Sequence, residues 1–177
     1  MLSTVGHSTR SLDELLGLLR ESGITLVADV RTAPGSRRMP HFSKAALAAA
    51  LPPHGIDYLH LPELGGLRRP RPDSPNTGWR NDSFRGFADH MASAEFEAGL
   101  RRLLELGHDR AVAVMCAEAV PWRCHRSLIA DALLVRGSEV RHLLGPGRSQ
   151  VHALTPFAVV EGDRITYPAP AQRGLTF

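Results

Sequence analysis

The feature that most constrains this chain is an alternation. Short apolar runs rich in β-branched residues are separated repeatedly by stretches with helical spacing. Leu2–Val5 reads as a strand and is followed by the turn Gly6-His7-Ser8. Ser11-Leu12-Asp13-Glu14 has the form of a capping box, with Ser11 as N-cap and Glu14 at N3. Leu12, Leu15, Leu16 and Leu19 then supply one apolar face, and Gly23 suits the stop. The run Ile24–Val30 is almost continuously apolar, as a strand covered on both faces requires.

The pattern continues with a helix capped by Ser43 and ended at Pro52-Pro53, and with a strand over 56–61. A long loop rich in Gly, Pro and Arg covers about 62–81. The spacing of Phe84, Phe87, Met91, Phe96, Leu100 and Leu103 predicts one helix over 82–106. A strand over 111–115, a helix over 124–135, a strand over 139–143 and a small hairpin around Glu161-Gly162-Asp163 complete it. Strand–helix alternation of this kind predicts an α/β fold in three layers, a mostly parallel sheet with helices on both faces (Rossmann-like, doubly wound). At 177 residues the chain is the size of one domain, with a core expected over about 3–160 and a C-terminal tail over 161–177.

In open parallel sheets, ligands bind outside the carboxyl ends of the strands. Four strands here end in polar or glycine-rich sequence: His7-Ser8, Asp29 with Arg31, Glu63 with Gly65-Gly66, and Cys116 with Glu118. They define one expected pocket. Its centre is the segment from Cys116 to Arg126, which holds Glu118, Arg123, Cys124 and His125 between them. A cysteine at a strand end before a helix N-terminus favours the thiolate and attracts anions. Cys116 is thus a candidate nucleophile or redox thiol, with Glu118 or His125 as acid–base partner. The competing account is a buried Cys116 that acts as a small hydrophobe. The cysteine-phosphatase loop, Cys-x5-Arg, does not match, because six residues separate Cys116 from Arg123.

Asp29, Arg31, Ser36 and Arg37 form a second cluster. It could clamp an anion, or Asp29 and Arg31 could brace the loop as an internal pair. Gly65 and Gly66 would let backbone approach a ligand. His7, Cys116, Glu118, Cys124 and His125 are all residue types that bind metal, but none lies in a Cys-x2-Cys or His-Glu-x-x-His spacing. Adjacent Cys124 and His125 should diverge on a helix, so the expectation is no metal and no cofactor. Arg68, Arg69 and Arg71 with Trp79-Arg80 suggest nucleic-acid contact, against a simple solvated loop.

Composition narrows the partners. Charged residues make up 22% and hydrophobic ones 43%, which excludes a disordered chain. The net charge of +3 is too small for a dedicated nucleic-acid binder, so nucleic acid ranks below a small anion. Lys44 is the only lysine, and arginine carries nearly all the positive charge. No apolar run reaches the roughly 20 residues needed to cross a bilayer. The first residues lack the basic and apolar regions of a secretory leader, and two cysteines do not make a disulfide scaffold. A cytoplasmic location without membrane contact is expected, and the sequence leaves the oligomeric state open.

Several of these segments together resemble a known family, the domains of unknown function numbered 488. The matching stretches are Thr4-Val5-Gly6-His7-Ser8, Asp29-Val30-Arg31 with Pro34, Ser36-Arg37 and Phe42, then Tyr58 and Leu64-Gly65-Gly66. Phe84-Arg85-Gly86-Phe87-Ala88, Met115-Cys116-Ala117-Glu118 and Cys124-His125-Arg126 complete them. The resemblance implies an α/β fold and a site built on these polar motifs, and it implies no substrate. The functional expectation is an enzyme that binds a small phosphate- or nucleotide-like anion at the carboxyl edge of the sheet. The ligand-binding residues would be His7, Ser8, Asp29, Arg31, Ser36, Arg37, Gly65, Gly66, Arg123, Cys124 and Arg126. A non-catalytic nucleic-acid or nucleotide module and a metal-binding protein are the alternatives.

Overall fold

The computed structural model describes residues 1–170. It holds one six-stranded sheet in the order β3-β2-β4-β1-β5-β6. The strands are β1 (Leu2–Gly6), β2 (Leu26–Asp29), β3 (Asp57–His60), β4 (Val112–Cys116), β5 (Val140–Gly145) and β6 (Arg148–Val151). All neighbours are parallel except β5 and β6. The helices are α1 (Leu12–Glu21), α2 (Lys44–Ala50), α3 (Asp82–His90), α4 (Ala94–Asp109) and α5 (Arg126–Val135). No helix among the described residues is long and apolar enough to cross a membrane.

Strand alternation divides the core into two layers. Val112, Val114 and Cys116 of β4 face α3, α4 and α5, where Phe87, Phe96, Leu100, Leu128 and Ile129 are packed. Ala113 and Met115 face the other way, onto Leu15 and Leu19 of α1 and Leu47 of α2. The three-layer α/β architecture expected from the pattern is thus the observed one. The Ser11 capping box is present with both reciprocal hydrogen bonds.

Three local readings need correction. The expected long helix over 82–106 is two helices. Ser93 interrupts it because its hydroxyl accepts the Phe96 N–H and caps α4, with Ser93 itself extended. A strand that the pattern did not predict lies at 148–151, where the polar, exposed β6 returns through Gly147 in the left-handed conformation. Helix α5 begins at Arg126 and not at Cys124. The predicted hairpin exists as β7 (Val159–Glu161) and β8 (Arg164–Thr166), turning at Gly162. The tail beyond residue 170 lies outside the described residues.

A polar chain also crosses the core behind α5. The hydroxyl of Thr4 donates to Nδ1 of His142 at 2.7 Å, His142 lies 2.9 Å from His152, and His152 donates to Asp131 at 2.8 Å. Tyr167 and Thr155 also donate to Asp131. Each group is buried or nearly so, and each has a partner, which is the condition for tolerating them there.

Candidate functional site

Cys116 ends β4, and the chain then folds back over the end of β1. His7 N–H donates to the Cys116 carbonyl and Ser8 N–H to the Ala117 carbonyl. This crossing requires Gly6, because a Cβ there would lie 1.7 Å from the Glu118 carbonyl oxygen. Arg126, at the start of α5, then locks the loop from beneath. Its Nη2 donates to the Glu118 carbonyl and its Nε to the Cys124 sulfur at 3.4 Å.

Cys124 has extended backbone, φ −135° and ψ 144°. It therefore does not fan away from His125 as two helical neighbours would. Nδ1 of His125 lies 3.6 Å from Cys124 Sγ and 4.0 Å from Cys116 Sγ. The opposite nitrogen, Nε2, donates to the Val30 carbonyl at 3.3 Å. A carbonyl can only accept, so Nε2 carries a proton, and Nδ1 is the atom turned toward the two sulfurs. The expected divergence of Cys124 and His125 is thus corrected: three donor atoms converge within 4.8 Å, the one such Cys/His cluster among the described residues.

The two cysteines are free and buried. The neighbouring Cys124 sulfur pushes the Cys116 thiol up, reinforced by burial. Cys116 in turn pulls Cys124 well below the ordinary thiol range, and His125 and Arg126 pull it further. Arg126 is 1% exposed and has no carboxylate partner among the described residues. A buried guanidinium needs a counter-charge. The Arg126 bond and the direction of both shifts favour Cys124, the less expected of the two cysteines, as the sulfur that holds negative charge.

A cavity of about 310 Å³ opens onto these sulfurs. Arg31, Gly66, Glu118 and Arg123 line it with the cysteines and His125, and Thr32, Leu67, Ser83 and Phe84 form the outer wall. A larger cavity, about 650 Å³, lies under β7–β8. There Arg136 is paired with Glu97, and no cysteine or histidine faces the space. The smaller cavity is therefore the better candidate.

The other expected residues take varied places. Asp29 is fully buried and binds Arg31 through Nε and Nη2, and it accepts the Tyr58 hydroxyl. Burial alone would depress Arg31, and Asp29 more than offsets it. Arg31 Nη2 also donates to the Phe42 carbonyl, and Nη1 to Nε2 of His7. These bonds occupy four of the five guanidinium hydrogens, so bracing is its first task, and one hydrogen remains. His7 spends Nδ1 on the Ser8 carbonyl and stacks on Phe42, and burial lowers its basicity. It orients Arg31 from behind the cavity. Ser8, in the left-handed conformation, also stays outside it. Gly65 packs against Thr32, while Ser36 and Arg37 are exposed and away from the crevice. Arg126 is consumed beneath the sulfurs.

Sequence reasoning missed the Val30 carbonyl, the Thr32 and Ser83 walls, and the role of Tyr58. No sequence signal marks a carbonyl. Phe84 and Tyr58 did stand in the family-like stretches. The basic loop is partly engaged: Arg68 donates to backbone carbonyls and Glu95, and Arg71 pairs with Asp73, while Arg69 and Arg80 are exposed. Trp79 packs against Phe84, Phe157 and Tyr167 and offers no open stacking face.

No curated protein and no solved structure matches the chain. A family model does, over residues 11–133, a span that takes in Asp29, Arg31, Gly66, both cysteines, His125 and Arg126 and leaves out His7. The chain thus belongs to the family described as Domain of unknown function DUF488.

Proposed function

We propose that the crevice belongs to an enzyme that binds a small phosphate- or nucleotide-like anion, with Cys124 as its reactive sulfur. The observation that carries this reading is the buried Arg126, which has no carboxylate partner among the described residues and donates through Nε to that sulfur. Its field adds to the remaining hydrogen of Arg31 and to the exposed Arg123 at the rim. A cavity of about 310 Å³ suits a small metabolite. Glu118, exposed at the rim, and His125 are the groups able to move a proton there. A reducing cytoplasm is the compartment that keeps such a pair as thiols. The nucleic-acid alternative has less support, since Arg68, Arg71 and Trp79 are already engaged.

The test uses two alkylating agents of equal reach, anionic iodoacetate and neutral iodoacetamide, on the metal-free protein. Iodoacetate should modify Cys124 faster by about tenfold, as attraction into a positive cleft predicts. The preference should shrink in Arg123→Gln. Equal rates, or labelling confined to Cys116, would overturn the reading.

A further inference from the structure

We propose that Cys116, Cys124 and His125 form a three-ligand site for a zinc-class divalent cation, open at its fourth position to the crevice. The carrying observation is a match of edge lengths. Zinc binds thiolate sulfur at about 2.3 Å and imidazole nitrogen at about 2.0–2.1 Å, so a tetrahedral site has S···N edges near 3.6 Å and an S···S edge near 3.8 Å. Nδ1 of His125 stands 3.6 and 4.0 Å from the two sulfurs, and all three atoms fall within 4.8 Å of one another. Both S···N edges stand within about 0.4 Å of the tetrahedral value, and the S···S edge, bounded at 4.8 Å, needs to close by at most about 1 Å.

The surroundings hold the ring in that pose. The Nε2–H bond to the Val30 carbonyl is the outer contact that metal-bound histidines use to fix tautomer and orientation. The ring meets Phe87 edge-on with centroids 4.9 Å apart. On another side Gly66 comes so close that a Cβ would lie 2.4 Å from Nδ1. The N–H bond from Arg126 does for the Cys124 sulfur what Val30 does for the ring.

The donor set selects the ion. Two sulfurs and a nitrogen exclude magnesium and calcium, which take oxygen, and favour zinc. Sites with three protein ligands and one open position are the catalytic kind. Two thiolates neutralise the dication, and buried Arg126 leaves a residual positive charge, so the fourth ligand is an anion. That last step rests on the anion-binding reading of the crevice, while the metal site itself does not.

The experiment is a titration of the EDTA-dialysed, reduced protein with cobalt(II), then displacement by zinc(II). One equivalent of cobalt should bind and give a thiolate-to-cobalt charge-transfer band that zinc abolishes. Cys116→Ser, Cys124→Ser and His125→Ala should each lose the band while keeping the wild-type circular dichroism. Inorganic phosphate should shift the cobalt d–d bands without removing the charge-transfer band. No stoichiometric cobalt or zinc binding by the wild-type protein overturns the proposal, and so does an intact band in His125→Ala. If metal fails while iodoacetate still selects Cys124, only the metal site falls. If metal binds while iodoacetate shows no preference, the anion reading falls instead.

Discussion

The substitution Gly66→Ala isolates the geometry of the site from the stability of the fold. A methyl group at residue 66 would lie 2.4 Å from Nδ1 of His125, 2.7 Å from Cγ and 2.8 Å from Cε1. Ordinary contact begins at 3.4 Å, so the ring has to recede by about 1 Å. It cannot do so freely. Phe87 stands against it, and the Nε2–H bond to Val30 is already 3.3 Å long. Overpacking of this kind costs about 1–3 kcal/mol, and the lost hydrogen bond about 1 kcal/mol more. Disturbing the outer support of a metal-binding histidine weakens binding by about 10- to 100-fold. Gly17→Ala is the control: residue 17 lies on the exposed side of α1 with nothing within 4 Å, and alanine there should add about 0.5–1 kcal/mol. Cobalt titration and urea unfolding, run on both variants, separate the two effects. Wild-type cobalt affinity in Gly66→Ala would refute the claim that residue 66 holds the ring against the sulfurs.

Asp29→Asn keeps the shape and removes the charge that Arg31 and Tyr58 share, so unfolding stability should fall by about 3–5 kcal/mol. A urea midpoint shift worth less than about 1 kcal/mol would show that Arg31 has another counter-charge. Acid gives an independent measurement. Burial, with the charges of His152 and Arg126, drops His142 from 6.5 to about 4. The unfolded chain then takes up a proton that the folded chain refuses. Stability should be full above about pH 6.5 and decline by up to about 3 kcal/mol as pH falls to 4. The same decline in His142→Gln would assign it elsewhere.

Much of the fold was legible because its signals are local. The Ser11 box, the apolar run into Asp29 and the polar strand ends each follow from neighbouring residues alone. The break at Ser93 was legible in principle, as a serine followed by acidic Glu95 and Glu97, but the aromatic spacing across it masked the cap. The edge strand β6 was not legible, since all four of its side chains are exposed and its pairing depends on β5. The site divides in the same way. Its address came from strand ends, whereas its chemistry depends on backbone facts: the extended Cys124, the carbonyl of Val30, the close approach at Gly66. Arg126 carried the same appeal to an anion as Arg123 in sequence. Only burial distinguishes the guanidinium that holds a sulfur from the one that faces solvent.

The strand order has a consequence for how the chain is made. β1 and β2, the first two strands synthesised, do not touch each other, because both pair with β4 and meet it at Val112. A growing chain can zip β2 to β3 and nothing more of the parallel sheet, so its apolar ribbons wait unsatisfied until the strand ending in Cys116 leaves the ribosome. Such long-range closure is slow and exposes the intermediate to aggregation. It also times the chemistry. The strand that joins β1 to β2 delivers the first sulfur, and the carbonyl that aims His125 belongs to Val30, just after β2 and 95 residues earlier. A chain that ends before β4 and α5 lacks the thiol–imidazole cluster altogether, which makes that cluster a reporter of the joined central strands.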